Sequence, residues 1–521
     1  MKALFVATEY PPIAGGGATF SATLVQALKE TGGELVVLTS GDSDEEQVEG
    51  NLKVVRRVDL KKIYSGEGGI ILGVNVLLDV VRSEKPEVLH THHSVETLMG
   101  IIANQYYGLP HFCTLTKTPE FKDQLVKKNG KWGVFDYVAT SDKVKHLTLS
   151  KAYVKNLEQI GVKSQDMTVV YPGVDANRFS RSSEQQRDLF REMMGVSKDD
   201  FLLVVPCVAR KRKGLEFLAK AVERCVAERN TIKVVVTGVS DPTSEEHPFF
   251  SKVASMGVLL PHAKFSDEEM ATVYSSADAV ALVSEAEGLG LSLLEAMSCG
   301  TPVIGTDVMG INEVITDGEN GILIKHGDVE AFKSGLFSLM DDQELRSRLI
   351  SGGMKALSEK FSLIGEGKKH WEIYQSGKDS LVQSSGGVVF RDGSEGLEIF
   401  MIKHTEYGYV LPKGRKNVGE SWVEAAVREV REETGYEVSN PMYFLDELGY
   451  TFEKEGKHIQ KVVRFHAFRV EIDAINIGLK LDEGEKVLEG EWLPFAKAID
   501  SCAHKTEGET INKLKELYDR E

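Results

Sequence analysis

The sequence predicts an α/β protein of three successive units, two doubly wound parallel-sheet domains followed by a smaller α/β domain. Three observations predict it. Through the first part of the chain, short apolar runs alternate with amphipathic stretches in the order strand, loop, helix, strand, which marks βαβ units. The alternation breaks and restarts once, after Tyr171-Pro172-Gly173-Val174-Asp175, and so divides into two units. A polar stretch, Gln375–Ser385, then separates it from a last segment with a strongly patterned helix of its own.

Taken in order, Lys2–Thr8 is an apolar run that reads as the first strand, and Gly15-Gly16-Gly17 opens the loop after it. Phe20, Leu24, Ala27 and Leu28 recur at helical spacing, Gly32-Gly33 ends that helix, and Leu35–Thr39 is the next strand. Val88–Thr91, a helix around Glu96–Tyr107 and His111–Leu115 continue the pattern. In the second unit, Phe201–Cys207, a helix from Leu215 to Glu228 and Ile232–Thr237 form one βαβ unit. Ala279–Ser284, a helix beginning near Ser292 and Pro302–Thr306 form another. Sheets of this kind bind ligands beyond the carboxyl ends of their strands, so the cleft between the two units is the expected site. The expected divisions are 1–178, 179–376, a linker at 377–385, and 386–521.

In the last unit, Gly386–Phe390 and Ile399–Lys403 read as strands. Ser421 followed by Glu424 is a capping-box pattern that starts a helix. Val423, Ala426, Val427 and Val430 form its buried stripe, and Gly435 fits the position just past its end. Glu429, Glu432 and Glu433 stand at i, i+3 and i+4 and share one face. Like charges so placed repel by about a few tenths of a kcal/mol per pair. A hard cation that prefers oxygen, Mg²⁺ or Mn²⁺, would turn that repulsion into a site. A merely solvated charged face is the alternative reading of such a run.

Composition narrows the class. At 521 residues the chain is long enough for about three domains, and 42% hydrophobic with 27% charged residues is ordinary for a soluble globular protein. A net charge of -17 argues against a general binder of nucleic acid or anionic membrane. The five cysteines are scattered without C-x-x-C pairs, which reads as a reduced, intracellular protein without a zinc site. The N-terminal run MKALFVATEYPP is too short for a signal segment, and no apolar stretch is long enough to span a bilayer. A cytoplasmic location is expected.

From Gly414 to Tyr436 the chain reads GRKNVGESWVEAAVREVREETGY. This matches G-x5-E-x7-R-E-U-x-E-E-x-G-U, with Gly414, Glu420, Arg428, Glu429, Glu432, Glu433 and Gly435 at the fixed positions. Tyr436 stands where an aliphatic residue is usual. The stretch resembles the Nudix box. The resemblance implies an α/β/α sandwich that cleaves a nucleoside diphosphate linked to another group, with Glu429, Glu432 and Glu433 holding Mg²⁺ or Mn²⁺ and positioning or deprotonating water. Glu420 and Arg428 would form an ion pair bracing loop and helix. A further carboxylate often comes from a distal loop, for which Glu483, Glu485 and Glu489 are candidates. The lead-in Leu411–Arg415, LPKGR, resembles that of dinucleoside-polyphosphate and diphosphoinositol-polyphosphate hydrolases. Lys413, Arg415 and Lys416 suit a polyphosphate or solvent equally.

Ordered landmarks mark the earlier residues: EYPPIAGGG at 9–17, VLHTHH at 88–93, VVYPGVDANRF at 169–179, VARKRKGLEFL at 208–218 and SEAEGLGLSLLEAMSCGTPVIGT at 284–306. The last contains an E-x7-E pair, Glu287 and Glu295. From Met1 to about Tyr374 the chain resembles a retaining glycosyltransferase of the family-4 (group 1) type, with the GT-B fold of two Rossmann-like domains. The resemblance implies hexosyl transfer from a nucleoside-diphosphate sugar, without a bound metal in this half. Cations and N–H donors must then stabilise the leaving diphosphate. Arg210 and Lys213 would contact it, aided by the Gly288-Leu289-Gly290 loop ahead of a helix N-terminus. Glu287 would sit at the donor sugar and Glu295 would bond the ribose hydroxyls, while Gly16 and Gly17 would allow close approach to phosphate. Taken singly, these residues also read as a solvated basic turn, a first-turn glutamate and a flexible turn.

His90, His92 and His93 invite a metal reading, but side chains at one strand end converge poorly, and cleft-lining or structural roles are favoured. Many relatives carry a cleft histidine in a T-x-H pattern where this chain has Thr116 and Lys117. The leading expectation is therefore a bifunctional enzyme, a glycosyltransferase plus a Nudix pyrophosphohydrolase. The alternative is a Nudix hydrolase regulated by a non-catalytic sugar-nucleotide-binding half. Acceptor, base and sugar are open.

Overall fold

The computed structural model describes the chain apart from residues 14–15, 65–66, 117–133, 209–210, 239–257, 259–264, 267, 395, 405–407, 473, 475–486 and 521. Three sheets organise it. The first holds β1 (Lys2–Val6), β2 (Glu34–Ser40), β3 (Glu45–Glu49), β4 (Leu52–Arg57), β5 (Val88–His92), β6 (His111–Thr114), β7 (Lys145–Thr148) and β8 (Met167–Val169). Its order is β3-β4-β2-β1-β5-β6-β7-β8, parallel except for the β3–β4 pair. The second holds β9 (Phe201–Val208), β10 (Ile232–Gly238), β11 (Ala279–Leu282), β12 (Val303–Thr306) and β13 (Ile322–Ile324), all parallel in the order β10-β9-β11-β12-β13.

Near-continuous apolar strands follow from burial on both faces. Along β1, Leu4 and Val6 enter one core while Ala3 and Phe5 enter another on the opposite face. Along β9, Leu203 and Val205 face one core and Leu202 and Val204 the other. Helices therefore cover both sides of each sheet, as the alternation predicts.

The third sheet holds β14 (Leu381–Gly393), β15 (Gly396–His404), β16 (Gly408–Val410), β17 (Lys413–Arg415), β18 (Tyr443–Lys454), β19 (Lys457–Arg469) and β20 (Val487–Pro494). It is mixed: β14 and β19 run parallel, and the other pairs are antiparallel. Val388, Phe390 and Met401 face helices 495–501 and 505–518 through Ala498, Ile511 and Leu514. Val389, Phe400 and Phe468 face Ala426 and Val430 of the helix Trp422–Thr434. This is an α/β/α sandwich.

The structure differs from the expected divisions in two places. Helix Leu363–Asp379 crosses back and packs on the first unit, with Tyr374 in the core beside Phe5 and Phe112 and Trp371 Nε1 donating to Leu28 O at 3.1 Å. Gly367 permits the crossing, because a Cβ there would lie 2.1 Å from Ala27 O. Residues 363–379 thus belong by packing to the first unit. The expected linker at 377–385 is helix through Asp379 and strand from Leu381. Its polar side chains serve backbone carbonyls: Ser385 donates to the buried Trp422 O at 2.7 Å, and Gln383 donates to Gly108 O. Polarity that reads as solvent exposure is here hydrogen-bond satisfaction.

Candidate active sites

The first site lies where the second unit meets the first. Glu287 follows β11 on a loop, its side chain only 9% exposed. Its carboxylate accepts from Lys213 Nζ at 2.5 Å and Ser284 Oγ at 2.6 Å, with Arg212 at 3.6 Å. Gly214, between Lys213 and helix Leu215–Val226, is required by its φ of +67° and by contact, since a Cβ there would lie 2.0 Å from Val283 O. Lys213 is thus engaged by Glu287, and Arg210 lies outside the described residues.

Helix Leu291–Ser298 starts after Gly290, at φ +89°, and no side chain caps its N-terminus. Its leading N–H groups are the kind of donors that attract anions. Leu289 is buried in the second unit's core and serves packing. Glu295 accepts from Tyr274 Oη at 3.0 Å and lines a pocket of about 170 Å³ with Thr19, Thr23 and Gln26 of the first unit. The E-x7-E pair therefore spans the loop and the cleft wall.

At the opposite wall, helix Gly16–Thr31 begins at the glycine loop. A Cβ on Gly16 would meet nothing within 4 Å, whereas one on Gly17 would lie 2.0 Å from Glu9 Oε2 and 3.1 Å from His93 Nε2. His90 is not a cleft residue. It is buried beneath the crossing helix, bonded to Tyr374 Oη at 2.5 Å and Thr114 Oγ1 at 2.8 Å, and burial lowers its pKa. His92 and His93 stack at 3.8 Å, and both reach the Thr116 hydroxyl at 3.2 Å. The position that lacks a histidine thus has two imidazoles from the neighbouring strand beside it; Lys117 lies outside the described residues.

Sequence reasoning missed the group that joins the units. Glu313 of the second unit caps helix Lys151–Glu158 of the first, accepting from Lys151 N and Ala152 N at 2.9 Å each and from Tyr171 Oη at 2.8 Å. Ser150 Oγ donates to Gly288 O at 2.5 Å, and the Tyr153 ring covers Gly288, where a Cβ would lie 2.7 Å away. Burial first, then the Glu287 charge, pushes the Tyr153 phenol up to about 12. Contacts across a sequence separation of 162 leave no local signal.

The second site is built on helix Trp422–Thr434. Ser421 and Glu424 form the reciprocal capping box, and Gly435 ends the helix at φ +73°. Arg428 is the hub: it donates to both oxygens of Glu420 at 2.7 and 2.9 Å, to Glu429 at 2.6 Å, to Glu432 at 3.0 Å and to Arg415 O at 2.9 Å. Glu433 accepts from Lys413 N at 2.8 Å. Burial raises the Glu429 carboxyl above its usual range, and Arg428 opposes that. Gly414 is required by contact, because a Cβ there would lie 2.1 Å from Glu429 Oε2. Tyr436, the one departure from the pattern, packs edge-on against Phe400 and accepts from Trp492 Nε1 at 2.9 Å.

Among the described residues no three His, Cys, Asp or Glu side chains are gathered as a metal cage. The donor set still suits a hard divalent ion, since Glu429, Glu432 and Glu433 present carboxylate oxygens around one helix face and Gly414 leaves room for Glu429. Of the distal candidates, Glu489 pairs with Lys403 at 3.5 Å, and Glu483 and Glu485 lie outside the described residues. Lys413 pairs with Glu507 at 2.8 Å, a buried acid that no motif marked. Arg415 and Lys416 instead line a groove toward the first unit.

Two doubly wound units with a cleft between them, followed by a mixed-sheet sandwich with a Glu-rich box helix, define a GT-B glycosyltransferase joined to a Nudix hydrolase. Family profiles agree: Glycosyltransferase Family 4 matches residues 14–178, Glycosyl transferases group 1 matches 186–356 and the NUDIX domain matches 382–514. The chain thus carries Glycosyltransferase Family 4 and Glycosyl transferases group 1 domains followed by a C-terminal NUDIX domain, and both parts are enzyme domains. An uncharacterized glycosyltransferase of Methanocaldococcus jannaschii is 25% identical over 391 residues, covering 72% of this chain and 98% of the relative. A D-inositol 3-phosphate glycosyltransferase of Xylanimonas cellulosilytica is 28% identical over 294 residues, covering 53% of this chain and 68% of the relative. Among solved structures, a sucrose-phosphate synthase from Thermosynechococcus elongatus has a TM-score of 0.59 at 17% identity, covering 72% of this chain and 98% of that one. Anabaena HepE, in complex with UDP and glucose, has a TM-score of 0.58 at 19% identity, covering 72% of this chain and 100% of that one. No helix of the described residues is long and apolar enough to cross a membrane.

Proposed function

We propose that the first two units transfer a hexose, with retention, from a nucleoside-diphosphate sugar, and that the Nudix domain hydrolyses a diphosphate-linked compound with Mg²⁺ or Mn²⁺. The observation that carries the first part is the carboxylate pair flanking the uncapped N-terminus of helix Leu291–Ser298 at the interdomain cleft. Glu287 would face the donor sugar, with Lys213 and Ser284 holding its carboxylate in place. Glu295 would hold the ribose, and the helix N–H groups would receive the leaving diphosphate together with Arg210. Gly16 and Gly17 would bring the first unit's backbone against the phosphates. The UDP and glucose named for the Anabaena neighbour support a donor of this kind.

In the Nudix domain, Glu429, Glu432 and Glu433 would hold the metal, which when bound supplies positive charge to the phosphoryl oxygens and lowers the pKa of water. Arg428 keeps Glu429 and Glu432 on one side of the helix, and its paired bonds to Glu420 fix the loop that leads in. The chemistry implies a soluble, small-molecule workplace in the cytoplasm.

Two single variants of the full chain test the division of labour. Glu287→Gln should remove sugar transfer and leave hydrolysis intact, and Glu432→Gln should do the reverse. Loss of both activities in either variant would contradict two independent sites.

A further inference from the structure

A groove of about 330 Å³ runs between the first transferase unit and the Nudix domain. Pro86 and Pro110 form one wall, and the lead-in to the Nudix box and the β18–β19 turn form the other. Five cations line it: Lys378, Arg415, Lys416, Lys454 and Lys457. Lys378 is paired with Glu87, and Lys457 lies 3.8 Å from Asp379. Arg415, Lys416 and Lys454 have no carboxylate at ion-pair distance among the described residues, against one unpaired acid of the lining, Glu455. Such an excess of positive charge is not the default of a chain with net charge -17.

Lys416 is the most informative of the three. Its backbone N donates to Gln383 O at 3.0 Å, which fixes it at the groove, and its ammonium lies 6.0 Å from the Trp422 ring. Burial depresses its pKa to about 8, although Glu420 and Glu424 act to raise it. A partly desolvated cation without a hydrogen-bonded anion is costly, and a bound anion removes that cost. None of Glu429, Glu432 and Glu433 lines the groove, and neither do Glu287 and Glu295.

We propose that this groove is a binding site for a small polyanion of the phosphate class, separate from both active sites and formed only where the two enzymes meet. Its occupant lies one peptide from the catalytic framework of the Nudix domain, because the carbonyl of Arg415 accepts from Arg428, which in turn holds Glu429 and Glu432.

The test is titration calorimetry of inorganic pyrophosphate into the full chain in EDTA, which removes metal-mediated binding at the box. Wild type should bind pyrophosphate, with at least one equivalent held independently of the donor cleft. Lys416→Met and Lys454→Met should each weaken binding by about tenfold or more, as expected for the loss of a charge-assisted contact. Lys213→Met, in the donor cleft, should leave it unchanged. At pH 8, binding should draw protons onto Lys416, so the apparent heat should vary with the buffer's ionisation heat in wild type and lose that variation in Lys416→Met. No binding by wild type would overturn the proposal. So would binding lost in Lys213→Met and kept in the two groove variants. Because Lys454 is an exposed strand-end residue, its variant keeps the test sound should Lys416→Met fold poorly.

Discussion

Replacing Glu366 by Gln probes the lock between the crossing helix and the segment that joins the two transferase units. Glu366 is 4% exposed, and its carboxylate accepts from Gly173 N at 2.8 Å. Burial raises its pKa from 4.5 to about 8, with the Gly173 bond working the other way. The raised value means that the folded chain holds this proton more tightly than the unfolded chain. The associated stability is full below about pH 4.5 and is lost as pH rises through about 8. Integrating over that gap, with each tenfold in proton affinity worth about 1.4 kcal/mol, the ionisable side chain costs about 1 kcal/mol at pH 5 and about 4 kcal/mol at pH 8. Glutamine keeps an oxygen for Gly173 N and never ionises. Urea unfolding of both proteins at pH 5 and pH 8, followed by circular dichroism, measures the difference, and the buried histidines cancel in it. The variant should exceed wild type by a few kcal/mol at pH 8 and by much less at pH 5. A variant less stable than wild type at pH 8 would refute the reasoning, since the carboxylate would then be ionised and stabilised in the fold.

Gly414→Ala places a methyl carbon 2.1 Å from Glu429 Oε2, so the carboxylate must move. Nudix turnover should fall by about a hundredfold or more while sugar transfer is unaffected, as rate assays on the two activities would show. Glu313→Ala uncaps helix Lys151–Glu158 and frees Tyr171. The transferase unfolding midpoint should drop by the equivalent of about 1–2 kcal/mol, and the KM for donor should rise with hydrolysis unchanged.

The parts legible in the sequence are those carried by local periodicity. The apolar strands of β1 and β9, the capping box at Ser421 and Glu424, and the Gly435 stop all rest on neighbouring residues, and the structure has each. The Glu420–Arg428 pair, expected from the resemblance to the Nudix box, is present at 2.7 Å. What escaped depends on contacts across long separations. By sequence the crossing helix falls in the second unit, because its pattern does not say which core Tyr374 enters. Gln383 and Ser385 read as linker because composition cannot distinguish a solvated polar residue from one bonded to a backbone carbonyl. Glu313 and Glu507 are ordinary glutamates until a helix N-terminus and Lys413 are brought against them. Leu289, read with the donor loop, is a core residue, and a G-L-G pattern alone does not reveal that.

Product mass spectrometry on the full chain, with a panel of nucleotide sugars and either Mg²⁺ or EDTA, tests the central claim most directly. The account predicts nucleoside diphosphate with free or transferred sugar that persists in EDTA, and hydrolysis of diphosphate compounds to monophosphates that requires the metal. Sugar transfer abolished by EDTA, or hydrolysis surviving it, would contradict the assignment of a metal-free transferase joined to a metal-dependent hydrolase.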